Sequence, residues 1–198
     1  MALLEEADGR RLRREHNREA VLDALAALFA EGDYQPSSNQ IAERAGLSPR
    51  SLFRYFDDID DLHFAVIARE LEAALPYVEL GIGPDAPTSA KITAIVESRI
   101  RLYEAAAPAV RAARVWMHRR PVIGRQVRRS RLFLRQQVEE FFAPELAVNA
   151  EVLPAIDALC QFEVYDLMRN DQGLSRSATV SALVTALTAL LSSGKGSA

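Results

Sequence analysis

The sequence predicts an all-α fold. Three observations carry that prediction. Apolar residues recur at three- and four-residue spacing along most of the chain, no stretch shows the strict alternation of a half-buried strand, and the gaps between apolar runs hold residues that start and stop helices. No tandem repeat is present.

Taken in order, a first helix is expected from about Arg11, with Ala20, Val21, Ala24, Leu25, Leu28 and Phe29 on its apolar side and Glu31-Gly32-Asp33 as its end. Ser37 with Gln40 three residues on fits a capping box, and Gly46 suits a left-handed residue past a helix end, so a short second helix is expected over 38–45. Ser48 followed by Pro49 is an N-cap serine with proline at the first helical position. The third helix is expected to run from there to about Phe56, where DDIDDL supplies capping acids for a fourth, over 58–80. GIGPDAP then reads as a linker. Further helices are expected over 88–105, 108–118, 121–142, 154–171 and 176–192, and SSGKGSA reads as an unstructured tail.

Composition narrows the classes. With 198 residues, 49% hydrophobic and 26% charged, the chain can bury a core and reads as globular. Neither a secretory leader nor a membrane span is expected, which makes the cytoplasm the default location. The single Cys160 allows no internal disulfide and reads as a small core residue, and His118 reads as surface. No nucleophile elbow, phosphate loop, dinucleotide glycine pattern or zinc helix occurs, so no enzyme activity, cofactor or metal is expected. A net charge of −3 requires any nucleic-acid binding to come from a local patch. Arginines are indeed clustered, in RRLRREHNR (Arg10 to Arg18) and again from Arg99 to Arg135. The second cluster reads either as a solvated helix face or as attraction for an anionic small molecule.

The stretch LSPRSLFRYF is two-faced. At about 100° per residue, Arg50, Ser51, Arg54 and Tyr55 share one arc and Leu52, Phe53 and Phe56 the other. The apolar side can pack on Ile41, Ala42, Ala45 and Leu47, which makes the second and third helices a helix-turn-helix. In such a unit the second helix enters the major groove, where arginines can hydrogen-bond guanine edges or phosphates and Ser51 can reach either. Ser37, Ser38 and Asn39 at the start of the preceding helix offer hydroxyls and free backbone N–H groups to a phosphate. Ser37 and Ser48 cap their helices with or without DNA.

From Gln40 to Leu62, QIAERAGLSPRSLFRYFDDIDDL resembles the N-terminal signature of TetR-type transcriptional regulators. The resemblance covers about residues 10–65. It implies a helix-turn-helix DNA-binding domain over 10–57 and a helical effector-binding and dimerisation domain over 58–193. Carried over by position, it implies DNA contacts from Ser37, Ser38, Asn39, Pro49, Arg50, Ser51, Phe53 and Tyr55, to which the wheel adds Arg54. The chain departs from the pattern in Phe53, where tyrosine is usual, in Tyr55, where histidine is common, and in Ile59, where lysine is common. Ile59 sits among four acids, Asp57 to Asp61, which bring negative charge close to where a phosphate backbone would lie.

In the C-terminal half, Val180, Leu183, Val184, Leu187, Leu190 and Leu191 form one apolar stripe, and Ala178, Ala182, Ala186 and Ala189 a second, small-residue face. With the family resemblance, this implies a homodimer through the last two helices. Tyr103, Trp116, Phe133, Phe162 and Tyr165 are candidates to line a pocket for a small-molecule effector. The expected function is a ligand-responsive regulator, a repressor released from a palindromic operator by its effector. The alternative is a helical small-molecule-binding protein whose DNA-binding head is weak or silent.

Overall fold

The structure is a computed structural model that describes residues 2–192, with side chains from Gly9 onward except that of Arg10. The expected unstructured tail from Ser193 on and the Arg10 side chain lie outside the described residues. Ten α-helices occur among the described residues and no strand. They are α1 (Ala2–Ala30), α2 (Ser38–Arg44), α3 (Pro49–Leu52), α4 (Ile59–Ala73), α5 (Thr88–Trp116), α6 (Pro121–Phe141), α7 (Ala143–Leu146), α8 (Leu153–Leu159), α9 (Phe162–Asp166) and α10 (Arg176–Ser192). None is long and apolar enough to cross a membrane.

The chain forms two compact units, Met1–Ala73 with Ala107–Arg125, and Ala74–Ala106 with Gln126–Ala198.

In the first unit α1 packs on α2 and α4, and α2 packs on α3. Its buried apolar residues include Val21, Leu25, Phe29, Ile41, Ala42, Leu52, Phe56, Leu62, Val66 and Ile67. α1 starts earlier than Arg11, because Ala, Leu, Glu and Arg, which favour helix, dominate its first turns, aided by the Arg11–Glu15 pair. The capping box of α2 forms as expected. The Gln40 N–H donates to Ser37 Oγ at 3.3 Å and the Ser37 N–H donates to Gln40 Oε1 at 2.9 Å. Gly46 takes φ +67, a left-handed value open to glycine at little cost.

Two expectations for this unit are corrected. Helix α3 closes at Leu52 rather than Phe56, since its last bonds tighten to three-residue spacing in Arg54 N–H to Ser51 O and Tyr55 N–H to Leu52 O. α4 ends at Ala73 rather than 80, because Pro76 has no N–H and pushes its predecessor away from helical angles, leaving a 3-10 turn over Leu75–Val78. The acids around the start of α4 take local partners, although Asp57, Asp58 and Asp61 stay exposed. Asp58 Oδ1 accepts from the N–H groups of Asp60 and Asp61, Asp61 accepts from the Asp57 N–H, and Asp60 is 8% exposed and pairs with Arg120.

His63 is buried between aromatic rings, with Trp116 at 4.2 Å and Phe29 at 5.8 Å between centroids. Its Nδ1 meets the Ile59 carbonyl at 2.6 Å, while its Nε2 has no partner. Burial pushes the imidazole below its ordinary value, against smaller opposing effects of the Ile59 carbonyl and Asp33. Protonation therefore favours the unfolded chain. The stability that neutral His63 supports is complete above the ordinary histidine range, about pH 6.5, and is lost as pH falls from there toward its lowered folded value. Thermal melts between pH 7.5 and 5 should show a decline in Tm that His63→Phe flattens.

In the second unit the buried residues include Ile92, Ile95, Val96, Ile100 and Tyr103 of α5, Leu134, Val138 and Phe141 of α6, and Phe142, Ile156, Phe162, Leu183 and Leu187. Tyr77 and Val78 of the 3-10 turn are fastened through their carbonyls, which accept from Ser98 Oγ at 2.8 Å and Gln137 Nε2 at 2.7 Å.

Here also two expectations fail. The helices expected over 88–105 and 108–118 are one helix, α5, running through Pro108. Proline removes one ladder bond, but Ala106, Ala107, Ala109, Ala112 and Ala113 around it are all buried, and packing carries the helix across. The helix expected over 154–171 is instead α8, α9 and a π-helical turn over Leu167–Asp171. It breaks at Gln161, whose ψ of 158 is extended, and the Tyr103 hydroxyl donates to the Cys160 carbonyl at 2.7 Å in place of a helical partner.

Candidate nucleic-acid interface

The head presents α3 through two caps. Ser48 Oγ accepts from the Ser51 N–H at 3.3 Å, and Pro49 fixes the first helical turn. Leu52 and Phe56 are the greasy side, 2% and 4% exposed, and they leave Pro49, Arg50, Phe53 and Arg54 facing outward. Phe53 is 51% exposed, so the expectation that it joins Leu52 and Phe56 on the inner face is corrected: the turn that follows Leu52 swings it out. Arg50 and Arg54 have no ion-pair partner among the described residues. An exposed pair of unneutralised guanidinium groups beside an exposed ring is chemically able to take base edges or phosphates.

The other predicted contacts are more committed. Ser51 is half-buried and its hydroxyl lies 2.8 Å from that of Ser48. Tyr55 is half-buried, and its phenolic oxygen accepts from Asn17 Nδ2 at 3.0 Å, which leaves its proton to donate elsewhere. Ser37 spends its hydroxyl on the capping box, while Ser38 and Asn39 are the first residues of α2, whose N–H groups lie outside its ladder.

Sequence reasoning missed Asn17 altogether. It also read the Arg10–Arg18 run without separating its faces. Arg13, Arg14 and Asn17 of α1 line an open cleft together with Arg54 and Tyr55 of the turn after α3, so three guanidinium groups edge one concavity. The signal was in the spacing, since residues 13, 14 and 17 lie on one helix side. Arg18 belongs to another role, its guanidinium sitting 5.1 Å from the centre of the Phe56 ring.

The effector-pocket candidates separate into two groups. Tyr103, Phe162 and Tyr165 come together, with ring centroids 5.5, 5.6 and 5.9 Å apart. Trp116 lies in the first unit, donating its indole N–H to the Tyr34 carbonyl at 2.8 Å. Phe133 is 49% exposed, because α6 turns Leu134, Val138 and Phe141 inward and leaves Phe133 on the side of Arg129, Gln136 and Glu140. Cys160 is buried as expected, and burial pushes its thiol up to about 11, which keeps it protonated and unreactive at neutral pH.

A helix-turn-helix head with a free cationic recognition face, on an all-helical chain, defines a DNA-binding regulator. Residues 21–66 match the family described as bacterial regulatory proteins, tetR family. The fold is similar to the crystal structure of a transcriptional regulator from Rhodococcus sp. Rha1, at 17% identity and a TM-score of 0.69, over 89% of this chain and 96% of that one. No curated protein matches the chain.

Proposed function

We propose that the protein is a homodimeric, ligand-responsive transcriptional regulator that represses from a palindromic operator and is released by a small-molecule effector. The observation that supports this most is the outward cationic face of α3 and the turn after it, Arg50 and Arg54, continued by Arg13 and Arg14 across the α1 cleft. In this reading residues 10–57 bind DNA, with Ser37, Ser38, Asn39, Pro49, Arg50, Ser51, Phe53, Arg54 and Tyr55 in contact, and residues 58–193 bind effector and dimerise. The interface uses the last two helical segments. In α10 only Thr179, Leu183 and Leu187 are buried, whereas Val180, Val184, Leu190 and Leu191 stay partly exposed, an apolar side that a second copy would cover. Two α3 helices related by a twofold axis then address half-sites about 34 Å apart.

Binding to duplex from the region flanking the gene should weaken steeply with salt. If four arginines per head each meet a phosphate, about eight contacts per dimer give a slope of log K against log salt near −7. Fluorescence anisotropy between about 50 and 200 mM salt measures it. A slope near zero, or no binding to any duplex at the lowest salt, defeats the reading in favour of a small-molecule-binding protein with a silent head.

A further inference from the structure

The second unit buries two cations on one helix and treats them differently. Lys91 is 1% exposed, and its ammonium donates to Glu145 at 2.6 Å and to the carbonyls of Pro84 and Phe141 at 2.9 and 3.2 Å. Arg99 is 2% exposed and meets no carboxylate among the described residues. Its Nη1 donates to Gln137 Oε1 at 2.8 Å, its Nη2 to the Leu134 carbonyl at 3.1 Å, and its Nε is buried with no partner. Several acids of this unit pair with other arginines, Asp157 with Arg135, Glu163 with Arg131, Glu97 and Glu104 with Arg176. A guanidinium held only by neutral oxygens inside a protein is costly, since burial removes its water and nothing returns the charge.

Arg99 also lines a cavity. Around it stand Val96, Ile100, Tyr103, Tyr165, Leu183 and Leu187, apolar but for two phenol oxygens. The space is only about 10 Å³ as it stands, roughly one water molecule. Its wall, however, includes Leu159, Cys160 and Gln161 at the break between α8 and α9, and the π-helical turn follows directly after the five residues of α9. A chain interrupted there has fewer ladder bonds to break than a continuous helix when the wall moves outward.

We infer that this cavity is an anion site whose ligand is a small monocarboxylate with an apolar body, the carboxylate on the Nε edge of Arg99 and the body along Val96, Ile100, Leu183 and the Tyr103 and Tyr165 rings. The Nε–H lies on the edge by which guanidinium takes a carboxylate side-on. Arg99 is the one buried arginine among the described residues, so one anchoring charge fits a monoanion better than a dianion. The inference deepens the effector part of the proposed function and names its chemical class.

The test uses the full-length protein with acetate, butyrate and benzoate as probes and benzamide as the neutral counterpart of benzoate. Calorimetry should show saturable binding of butyrate or benzoate, at least about tenfold tighter than benzamide, and Arg99→Met should abolish it. In the unaltered protein, the slowly exchanging Arg99 Nε–H should shift in ¹⁵N-resolved NMR as benzoate is added, a readout that does not depend on a variant folding. Equal affinity for benzoate and benzamide, an unmoved Nε–H, or no binding of any of the three acids overturns the inference. Operator affinity is measured separately. Carboxylate binding that leaves DNA affinity unchanged keeps the anion site and removes the release mechanism, whereas DNA binding without carboxylate binding does the reverse.

Discussion

Arg50→Ala is expected to cut operator affinity by roughly thirtyfold or more while changing binding to random duplex far less. A good bidentate contact to a base is worth about 1–3 kcal/mol, and a twofold dimer loses it in both half-sites, so the change is about 2–6 kcal/mol per complex. Arg14→Ala is the contrasting case. If it meets a phosphate from the α1 cleft, both operator and random duplex weaken alike and the salt slope shrinks by about 2 for the dimer. Neither change should disturb folding by more than about 0.5 kcal/mol, because both side chains are exposed and hold nothing else in place. Titrations of operator and scrambled duplex at two salt concentrations resolve the pair. Equal losses on both duplexes for Arg50→Ala would demote it to a phosphate contact and move sequence reading to Arg54 or Phe53.

The head was legible because its determinants are local. Ser37 with Gln40, Gly46 and Ser48-Pro49 fix caps and turns within a few residues of themselves, and each forms as read. What the sequence concealed depends on partners far along the chain. Nothing near Cys160 announces a helix break, neither proline nor glycine, since the carbonyl freed there is taken by Tyr103, separated by 57 residues. Pro108 announces a break that does not occur, because five buried alanines around it outweigh one missing bond. At the interface the cationic arc was readable from helical spacing, but the Asn17 to Tyr55 hydrogen bond was not, as it joins α1 to the turn after α3. The acidic run from Asp57 was read as a threat to DNA binding. Of its acids Asp60 is buried and paired with Arg120, while Asp57, Asp58 and Asp61 stay exposed, Asp58 and Asp61 accepting from backbone donors.

Glu145→Ala is expected to destabilise the second unit by about 3–5 kcal/mol. The reason is what it leaves behind. Lys91 is enclosed by Phe141 and Phe142, with its ammonium 5.8 and 5.4 Å from their ring centres, and without Glu145 it retains two carbonyls but no counter-charge. Burial raises the Glu145 carboxyl, yet the hydrogen bonds from Lys91 and Thr88, a backbone N–H and the Lys91 charge outweigh it and hold the group below its ordinary value. That lowered folded value fixes the sign with pH. The pair's contribution is complete above the ordinary glutamate range, about pH 4.5, and is lost as pH falls through the folded value. Denaturant titrations at pH 7 and pH 4 should therefore show the gap between the unaltered protein and Glu145→Ala narrowing in acid. The double change Lys91→Met with Glu145→Leu removes both charges together and should regain most of the loss, since an apolar replacement of a buried ion pair is often neutral or stabilising. A double variant no more stable than Glu145→Ala would show that the Thr88 bond to Glu145, at 2.8 Å, and the lysine bonds to Pro84 and Phe141 hold this end of α5 more than the charge pair does.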